Sequence, residues 1–250
     1  MTPALRTHDL ARSFGSLAAV DGLTLAIETG ARHALIGPNG AGKTTFINLL
    51  TGVLAPSRGD VFLAGERITG LTQHERVKRG MTRTFQINTL FPGLTVLESV
   101  LLAVCERTGA AWHAYRPVAA FGAEIEESHE LLRRMRLDAD ANVETRHLPY
   151  GKQRLLEIAL ALATRPRLLL LDEPAAGIPA GESTEVFAAL EALPRDVTVL
   201  FIEHDMDLVF RFAERISVLV AGRLLVEGTP GEVSRDARVR EVYLGEAAGA

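Results

Sequence analysis

The feature that most constrains this chain of 250 residues is the glycine-rich segment at residues 37–45, which reads Gly-Pro-Asn-Gly-Ala-Gly-Lys-Thr-Thr. It matches the phosphate-binding pattern G-x-x-x-x-G-K-[ST]. Residues 33–36 precede it as a short buried strand, and residues 46–50 follow it with the spacing of a helix. A strand, a loop and a helix in this order aim backbone N–H groups at one anion. Because both flanks fit, a nucleotide site is favoured over the alternative, a simple glycine-rich turn before a helix.

Two side chains of this segment have chemistry of their own. Lys43 is expected to reach the outer phosphates of a nucleotide as a point charge. The hydroxyl of Thr44 is expected to bind a magnesium ion. The segment therefore predicts a site for nucleotide phosphates together with Mg²⁺.

Composition narrows the class of protein. A net charge of −4 and an isoelectric point near 6.0 argue against a nucleic-acid partner that binds through bulk positive charge. The only cysteine, Cys105, excludes an internal disulfide framework. The N-terminal residues lack the apolar core of a signal peptide, and no run of about 18 apolar residues appears. These observations lead us to expect a soluble, cytosolic protein.

The elements around the loop predict a mixed sheet. Residues 5–14 and 17–27 alternate apolar and polar residues around a Gly-Ser turn, which predicts two antiparallel strands. Residues 60–65 are expected to form another strand and turn, residues 72–79 a surface helix, and residues 80–86 a strand.

A different pattern runs from about residue 88 to residue 150. Thr95 and Glu98 form a capping box before an apolar helix, and residues 123–137 have the spacing of an amphipathic helix. Residues 108–122 show no clear period. We interpret residues 88–150 as an inserted helical subdomain of a single 1–250 domain; the alternative is that these helices belong to the main layer.

The remaining segments predict parallel strands joined by helices. Residues 151–164 have a broad apolar helical face, and the four leucines at 168–171 indicate a strand buried on both faces. Residues 182–193 and 197–202 then complete a βαβ unit. Strands are expected at 216–220 and 223–226. A capping box at Thr229 opens what we expect to be the final helix, in a C-terminal segment, 228–250.

Acidic residues follow the buried strands directly. Asp172 and Glu173 stand at the carboxyl end of the leucine strand, where ligands of open α/β sheets bind. Asp172 is predicted to hold magnesium and Glu173 to polarise the water that attacks a terminal phosphate. The alternative is a solvated pair opening a turn. His204 ends the next strand and is expected on the same rim as Glu173.

Taken together, these segments resemble the nucleotide-binding subunit of an ABC transporter. The resemblance rests on residues 37–45, Gln86, residues 148–153, residues 168–174 and His204, and it covers nearly the whole chain. It implies an α/β fold with a P-loop NTPase core of mostly parallel sheet, an antiparallel β layer and an inserted helical subdomain. In that family two subunits, identical or different, sandwich two ATP molecules, and each ATP site joins the phosphate loop of one subunit to the signature segment of the other.

The resemblance also implies roles for particular residues. Glu173 is the catalytic base, His204 the switch histidine, and Gln86 the glutamine that links the site to the membrane partner; with Lys43 they form the catalytic set. Magnesium is assigned to Thr44, Gln86 and Asp172. ATP is assigned to Phe14, Gly37, Asn39, Gly40, Ala41, Gly42, Lys43, Thr44, Thr45, Tyr150, Gly151, Lys152 and Gln153. Phe14 stands where an aromatic ring stacks on adenine; the alternative is an ordinary core phenylalanine.

Within the family, residues 83–86, 91–98, 148–159, 172–177, 203–206 and 239–245 are similar to the ATP-binding subunits of branched-chain amino-acid importers. This similarity implies an ATPase peripheral on the inner face of the cell membrane, with transmembrane permease subunits as partners and a periplasmic or extracellular binding protein as an indirect partner. Phe91, Leu94 and the helix from Val96 are expected to line a groove for a permease helix. The alternative is that they fill the core of the helical subdomain.

Two departures from the family pattern keep other functions open. Pro149, Tyr150, Gly151 and Lys152 stand where the family signature has Ser-Gly-Gly-Gln, so the contact to the partner's phosphate is expected to fall on Gly151. Residues 178–179 read Ile-Pro where the family usually has Leu-Asp. The alternatives are a catalytically weak, nucleotide-gated partner in a heterodimeric importer of urea, amides or other polar solutes, and a soluble ABC ATPase.

Overall fold

The computed structural model describes residues 2–84, 90–110 and 121–247. Its strands are β1 (Leu5–Phe14), β2 (Leu17–Ile27), β3 (Arg32–Ile36), β4 (Arg58–Leu63), β5 (Glu66–Arg67), β6 (Met81–Arg83), β7 (Leu168–Asp172), β8 (Thr198–Ile202), β9 (Arg215–Val220) and β10 (Arg223–Gly228). Its helices are α1 (Lys43–Thr51), α2 (Gln73–Lys78), α3 (Val96–Thr108), α4 (Gly122–Arg134), α5 (Tyr150–Ala163), α6 (Ala180–Glu191), α7 (Met206–Phe212), α8 (Pro230–Val233) and α9 (Ala237–Ala247).

Alternating side chains build the antiparallel sheet, whose strand order is β2-β1-β4-β5. In β1, Leu5, Thr7 and Leu10 point inward, and the Thr7 hydroxyl is satisfied by donating to the Leu23 carbonyl at 3.0 Å. The pairing of β1 with β2 is antiparallel and has the predicted bounds, so that prediction is confirmed.

The second sheet has the order β10-β9-β3-β8-β7-β6. β3 is parallel to both β8 and β9, and β7 is parallel to β8. Every residue of β3, β7 and β8 is buried, which explains the apolar runs at residues 168–171 and 199–202 and confirms the predicted buried strands. β10 returns antiparallel to β9.

One apolar cluster joins the two sheets to α1. Side chains from the antiparallel sheet, the parallel sheet and the helix all contribute, among them Ile27, Leu35, Phe46, Leu50 and Leu200, each 1 % exposed or less. Because α1 begins at the phosphate loop, this packing fixes the direction in which the loop points.

The chain divides into two compact units. The first comprises residues 1–81, 167–173 and 194–250, and the second comprises residues 82–166 and 174–193. In the second unit α3, α4 and α5 pack on one another, and α6 packs on α5. The helical unit therefore extends beyond the 88–150 segment read from the sequence, because the apolar faces of α5 and α6 are buried against its other helices.

Some connections differ from the sequence prediction. β7 and β8 are parallel neighbours, as predicted, but α6, which joins them in the sequence, belongs to the helical unit. The capping box at Thr229 forms, yet α8 ends at Val233 and a second helix, α9, follows. The expected single final helix is thus wrong. Asp236 explains the restart, since its carboxylate accepts from the Arg238 backbone N–H at 2.9 Å.

The helix α7 was not predicted; Asp205 caps it by accepting from the backbone N–H groups of Asp207 and Leu208. Among the residues that the structure describes, no helix is both long and apolar enough to cross a bilayer.

Candidate functional site

The phosphate loop connects β3 to α1 and is held by its neighbours. Gly42 is the N-cap of α1 with φ of 99°, and a Cβ added there would lie 2.2 Å from the Ala19 carbonyl oxygen. Only glycine fits this position. The Ala41 carbonyl accepts from the Gly222 N–H at 2.9 Å, which ties the loop to the turn between β9 and β10. The loop is therefore preformed, with the N-terminus of α1 directed into it.

Lys43 lies along the inside of the loop. Its Nζ donates to the Gly37 carbonyl at 2.6 Å and to the Pro38 carbonyl at 3.0 Å, and the residue is only 8 % exposed. These two hydrogen bonds hold the ammonium group close to the loop backbone. This placement provides the positive charge that a bound phosphate requires.

A cavity of about 540 Å³ opens above the loop, within the range of ligand sites, roughly 300–1,000 Å³. It brings together most of the predicted nucleotide residues of the first unit. Its walls include Phe14, Asn39, Gly40, Ala41, Gly42, Lys43, Thr44, Thr45, Glu173 and His204. Gly37, also assigned to the site, is buried at the start of the loop.

Phe14 lies at the edge of this cavity and not in the core. Its side chain is 45 % exposed, and the neighbouring Leu17 is 67 % exposed. The guanidinium of Arg12 lies 4.9 Å from the centroid of the Phe14 ring. An exposed aromatic ring beside a phosphate loop is suited to stack on a base, whereas the core alternative is wrong.

The acidic rim is formed by the ends of β7 and β8. His204 Nε2 lies 3.0 Å from Glu173 Oε1, which confirms that the two residues share one rim. Glu173 has φ of 50°, in the left-handed region, and its N–H donates to the Ile202 carbonyl at 3.0 Å. Glu203, buried at 5 % exposure, accepts from the His204 backbone N–H at 3.0 Å. Glu203 thus holds the His204 backbone at the end of β8, a role that sequence reasoning did not assign.

The residues fit a magnesium ion that binds through phosphate and water. Asp172 is 2 % exposed at the end of β7, and Thr44 exposes its hydroxyl at the first turn of α1. Across residues 2–84, 90–110 and 121–247, no group of three His, Cys, Asp or Glu side chains is placed to hold a metal by itself. Mg²⁺ commonly takes one or two protein oxygens and the rest from substrate and water. Gln86, the other predicted metal residue, lies outside the described residues.

The signature segment lies in the second unit, at the start of α5. Tyr150 is 43 % exposed, and the Gly151 N–H donates to Glu182 Oε2 at 3.2 Å. Lys152 pairs with Asp140 at 2.6 Å, and Gln153 Nε2 donates to the Leu148 carbonyl at 2.9 Å. These four predicted ATP residues therefore do not line the cavity of the first unit.

A buried ion pair follows the signature in α5. Arg154 lies 2.6 Å from Glu157, and both side chains are nearly fully buried. Burial raises the pKa of Glu157, and the hydrogen bond and charge of Arg154 oppose this rise. Arg154 Nε also donates to the Pro174 carbonyl at 3.2 Å. The arginine thus ties α5 to the residue that follows Glu173 in the chain.

Comparison with known proteins gives the same fold. Residues 20–176 match the family model described as ABC transporter, and residues 223–249 match the model described as branched-chain amino acid ATP-binding cassette transporter. The first match contains the phosphate loop, the signature segment and the Asp172-Glu173 pair. The second covers β10, α8 and α9.

Individual proteins align over nearly the whole chain. The high-affinity branched-chain amino acid transport ATP-binding protein BraF of Pseudomonas aeruginosa is 40 % identical over 98 % of this chain and 99 % of its own. The ADP conformation of MJ1267, an ATP-binding cassette of an ABC transporter, superposes with a TM-score of 0.85 at 30 % identity, covering 98 % of this chain and 100 % of that one. The dimeric post-hydrolysis structure of the cassette MJ0796, bound to ADP and Pi, gives 0.73 at 26 % identity, covering 90 % and 98 %. The chain therefore belongs to the ABC transporter family, as one of its ATP-binding cassettes.

Proposed function

We propose that this chain is the ATP-hydrolysing subunit of a membrane importer for branched-chain amino acids. The observation that carries the hydrolytic role is the 3.0 Å hydrogen bond between His204 and Glu173 in the wall of the cavity that Lys43 also lines. The cargo is supported by the C-terminal match over residues 223–249 and by the name of the BraF relative.

ATP fits the cavity in one direction. The base stacks on the exposed ring of Phe14, and the triphosphate extends to the backbone N–H groups of the loop and the N-terminus of α1. Lys43 supplies a positive charge to the outer phosphates, and Thr44 and Thr45, which also line the cavity, lie beside them. Thr44, Asp172 and Gln86 are the residues that would hold Mg²⁺. When bound by them, the ion would neutralise charge on the phosphate oxygens.

Hydrolysis requires a base near the terminal phosphate. Glu173 accepts a proton from water while the water oxygen bonds to the terminal phosphorus. The bond from that phosphorus to its bridging oxygen breaks, which leaves ADP and inorganic phosphate. His204 holds Glu173 Oε1 by its hydrogen bond and so keeps the base on the cavity wall. General-base catalysis of this kind contributes about 10²- to 10⁴-fold to a rate.

The complete site needs a second subunit. We assign Tyr150, Gly151, Lys152 and Gln153 to the ATP held by a partner cassette, which is either a second copy or a different ABC ATPase. The dimeric structure of MJ0796 with ADP and Pi supports a dimer as the working unit. Closure of this dimer on ATP and its reopening after hydrolysis drive permease subunits in the membrane. The chain then sits peripherally on the inner face, and a periplasmic or extracellular binding protein delivers the cargo.

Uptake in the native host tests this function. Deleting the gene is expected to abolish high-affinity uptake of labelled leucine, isoleucine and valine. Wild-type protein and the surface variant Glu185→Gln restore this uptake, whereas Glu173→Gln does not, because the base is lost. Unchanged leucine, isoleucine and valine uptake after deletion would reject the cargo, and full rescue by Glu173→Gln would reject the assigned base.

A further inference from the structure

The start of α5 lacks the usual helix cap. Pro149 is the N-cap residue, with φ of −54° and ψ of 151°, and proline has no side-chain oxygen that can accept from the first N–H groups. These groups need other partners, since the first turn of a helix has none within the helix. One of them, the N–H of Gly151, donates to a carboxylate oxygen of Glu182 at 3.2 Å.

Glu182 is well placed to act as this cap. It lies in the first turn of α6, and its own N–H donates to the Pro179 carbonyl at 2.9 Å. Its carboxylate therefore lies beside the positive ends of two helix dipoles, α5 and α6. The contact also depends on glycine, because a Cβ on residue 151 would lie 2.4 Å from Glu182 Oε2.

We propose that Glu182 acts as an internal competitor of ATP at the signature segment. In the separate subunit its carboxylate accepts the hydrogen bond from the Gly151 N–H. It gives up this hydrogen bond when the triphosphate of the partner's ATP binds there. This inference rests on the proposed function, which assigns Gly151 to the partner's ATP. The carboxylate and the triphosphate are both anions that compete for one N–H group and repel each other. Glu182 therefore raises the ATP concentration that is needed to close the dimer. It also favours reopening once phosphate has left.

The competing explanation is that Glu182 only stabilises α5. The two roles predict opposite effects. If Glu182 competes with ATP, neutralising it makes closure easier. If it only supports the helix, neutralising it loosens α5 and makes closure harder.

The test uses the full chain carrying Glu173→Gln, a variant that we expect to bind ATP without hydrolysing it. ATP-dependent dimer formation is followed by analytical ultracentrifugation as ATP is raised in the presence of magnesium. Glu182→Gln and Glu182→Ala are compared with Glu185→Gln, which removes the same charge from an exposed position one turn along α6. Thermal unfolding of each variant without ATP is recorded in parallel.

We expect Glu182→Gln and Glu182→Ala to reach half-maximal dimer at an ATP concentration roughly two- to thirtyfold lower than the parent, the range expected for one anion at a helix N-terminus. Glu185→Gln should match the parent. An unchanged or higher ATP requirement for both Glu182 variants would overturn the inference, whatever their melting temperatures. If the parent itself forms no ATP-dependent dimer, the composite site of the proposed function falls and this inference with it.

Discussion

Glu173 adopts a backbone conformation that is unfavourable for a residue with a Cβ. Its φ of 50° lies in the left-handed region, where strain costs on the order of 1–3 kcal/mol. Its N–H is held by the Ile202 carbonyl, and its carboxylate meets His204. The ends of β7 and β8 thus hold this conformation and place the carboxylate on the cavity wall, where the proposed base is needed.

Residues close to a motif were predictable, and residues brought close only by folding were not. The pairing of Glu173 with His204 followed from the rule that parallel strands end at the same edge. Glu182 lies 31 residues from its partner Gly151, and no motif links the two. Glu203 is next to His204 in the sequence, but its hydrogen bond to the His204 N–H depends on a turn of the backbone that the sequence spacing of the residues does not show.

His33 provides a test of the core that is independent of ATP. It is 1 % exposed in β3, and its Nε2 lies 2.8 Å from Ser217 Oγ. Burial, and secondly the charge of Arg215, lowers its pKa from 6.5 to about 4. Between these values the unfolded chain binds a proton that the folded protein does not, so the free energy of unfolding falls as the pH falls from about 6.5 to about 4.

Between pH 7 and pH 4.5 the free energy of unfolding falls in the wild type. We therefore expect this decrease to be roughly 2–3 kcal/mol smaller in His33→Gln. Urea denaturation of both proteins at the two pH values measures this difference. His147→Gln, the same substitution at an exposed position, serves as the control for the change of residue type. Equal losses in wild type and His33→Gln would show that His33 does not resist protonation.

At the scale of elements, the two predicted capping boxes, at Thr95 and Thr229, form in the structure, whereas the helices α7 and α9 were not predicted. Thr95 and Glu98 cap α3 as predicted, with both reciprocal hydrogen bonds formed. Such boxes need only four residues in sequence, so the pattern is visible without the fold. α7 is only seven residues long, and the restart of α9 depends on one carboxylate, Asp236. Over so few residues, the periodic spacing of apolar residues is a weak signal for a helix.

Phe91 and α3 carry the proposed contact to the permease. The Phe91 side chain is 62 % exposed, while its carbonyl is anchored by the Thr145 hydroxyl at 2.6 Å and by the Leu94 N–H at 3.1 Å. The ring is thus held outward by a fixed backbone. The core-filling alternative is wrong for Phe91, although it describes Val96 and Val100, which are fully buried.

We expect Phe91→Asp to lower leucine uptake at least about tenfold, as a buried interface anchor does when it is replaced by a charge. The basal ATPase activity of the purified chain should stay unchanged. Val53→Asp, at an exposed apolar position of the first unit, is the matched control and should preserve both activities. Uptake that survives Phe91→Asp counts against the groove, and loss of basal ATPase would indicate a folding defect instead.

The whole molecule contains two compact units with separate tasks in our proposal. The first holds the phosphate loop, Glu173 and His204, and the second holds the signature segment. Sequence order obscures this division, because β7 returns to the first unit between α5 and α6. The predicted segment 88–150 contains α3 and α4, while α5 and α6, which belong to the same unit, lie almost wholly after it.

The central claim is that ATP joins two of these cassettes, each completing the other's site. Sedimentation of the Glu173→Gln variant with magnesium and increasing ATP tests it most directly, with Lys43→Ala as the control that loses the phosphate contact. We predict a monomer without ATP, a dimer holding two ATP molecules at saturation, and turnover about 10²- to 10⁴-fold below wild type. A Glu173→Gln protein that binds ATP yet remains monomeric at every ATP concentration would contradict the account.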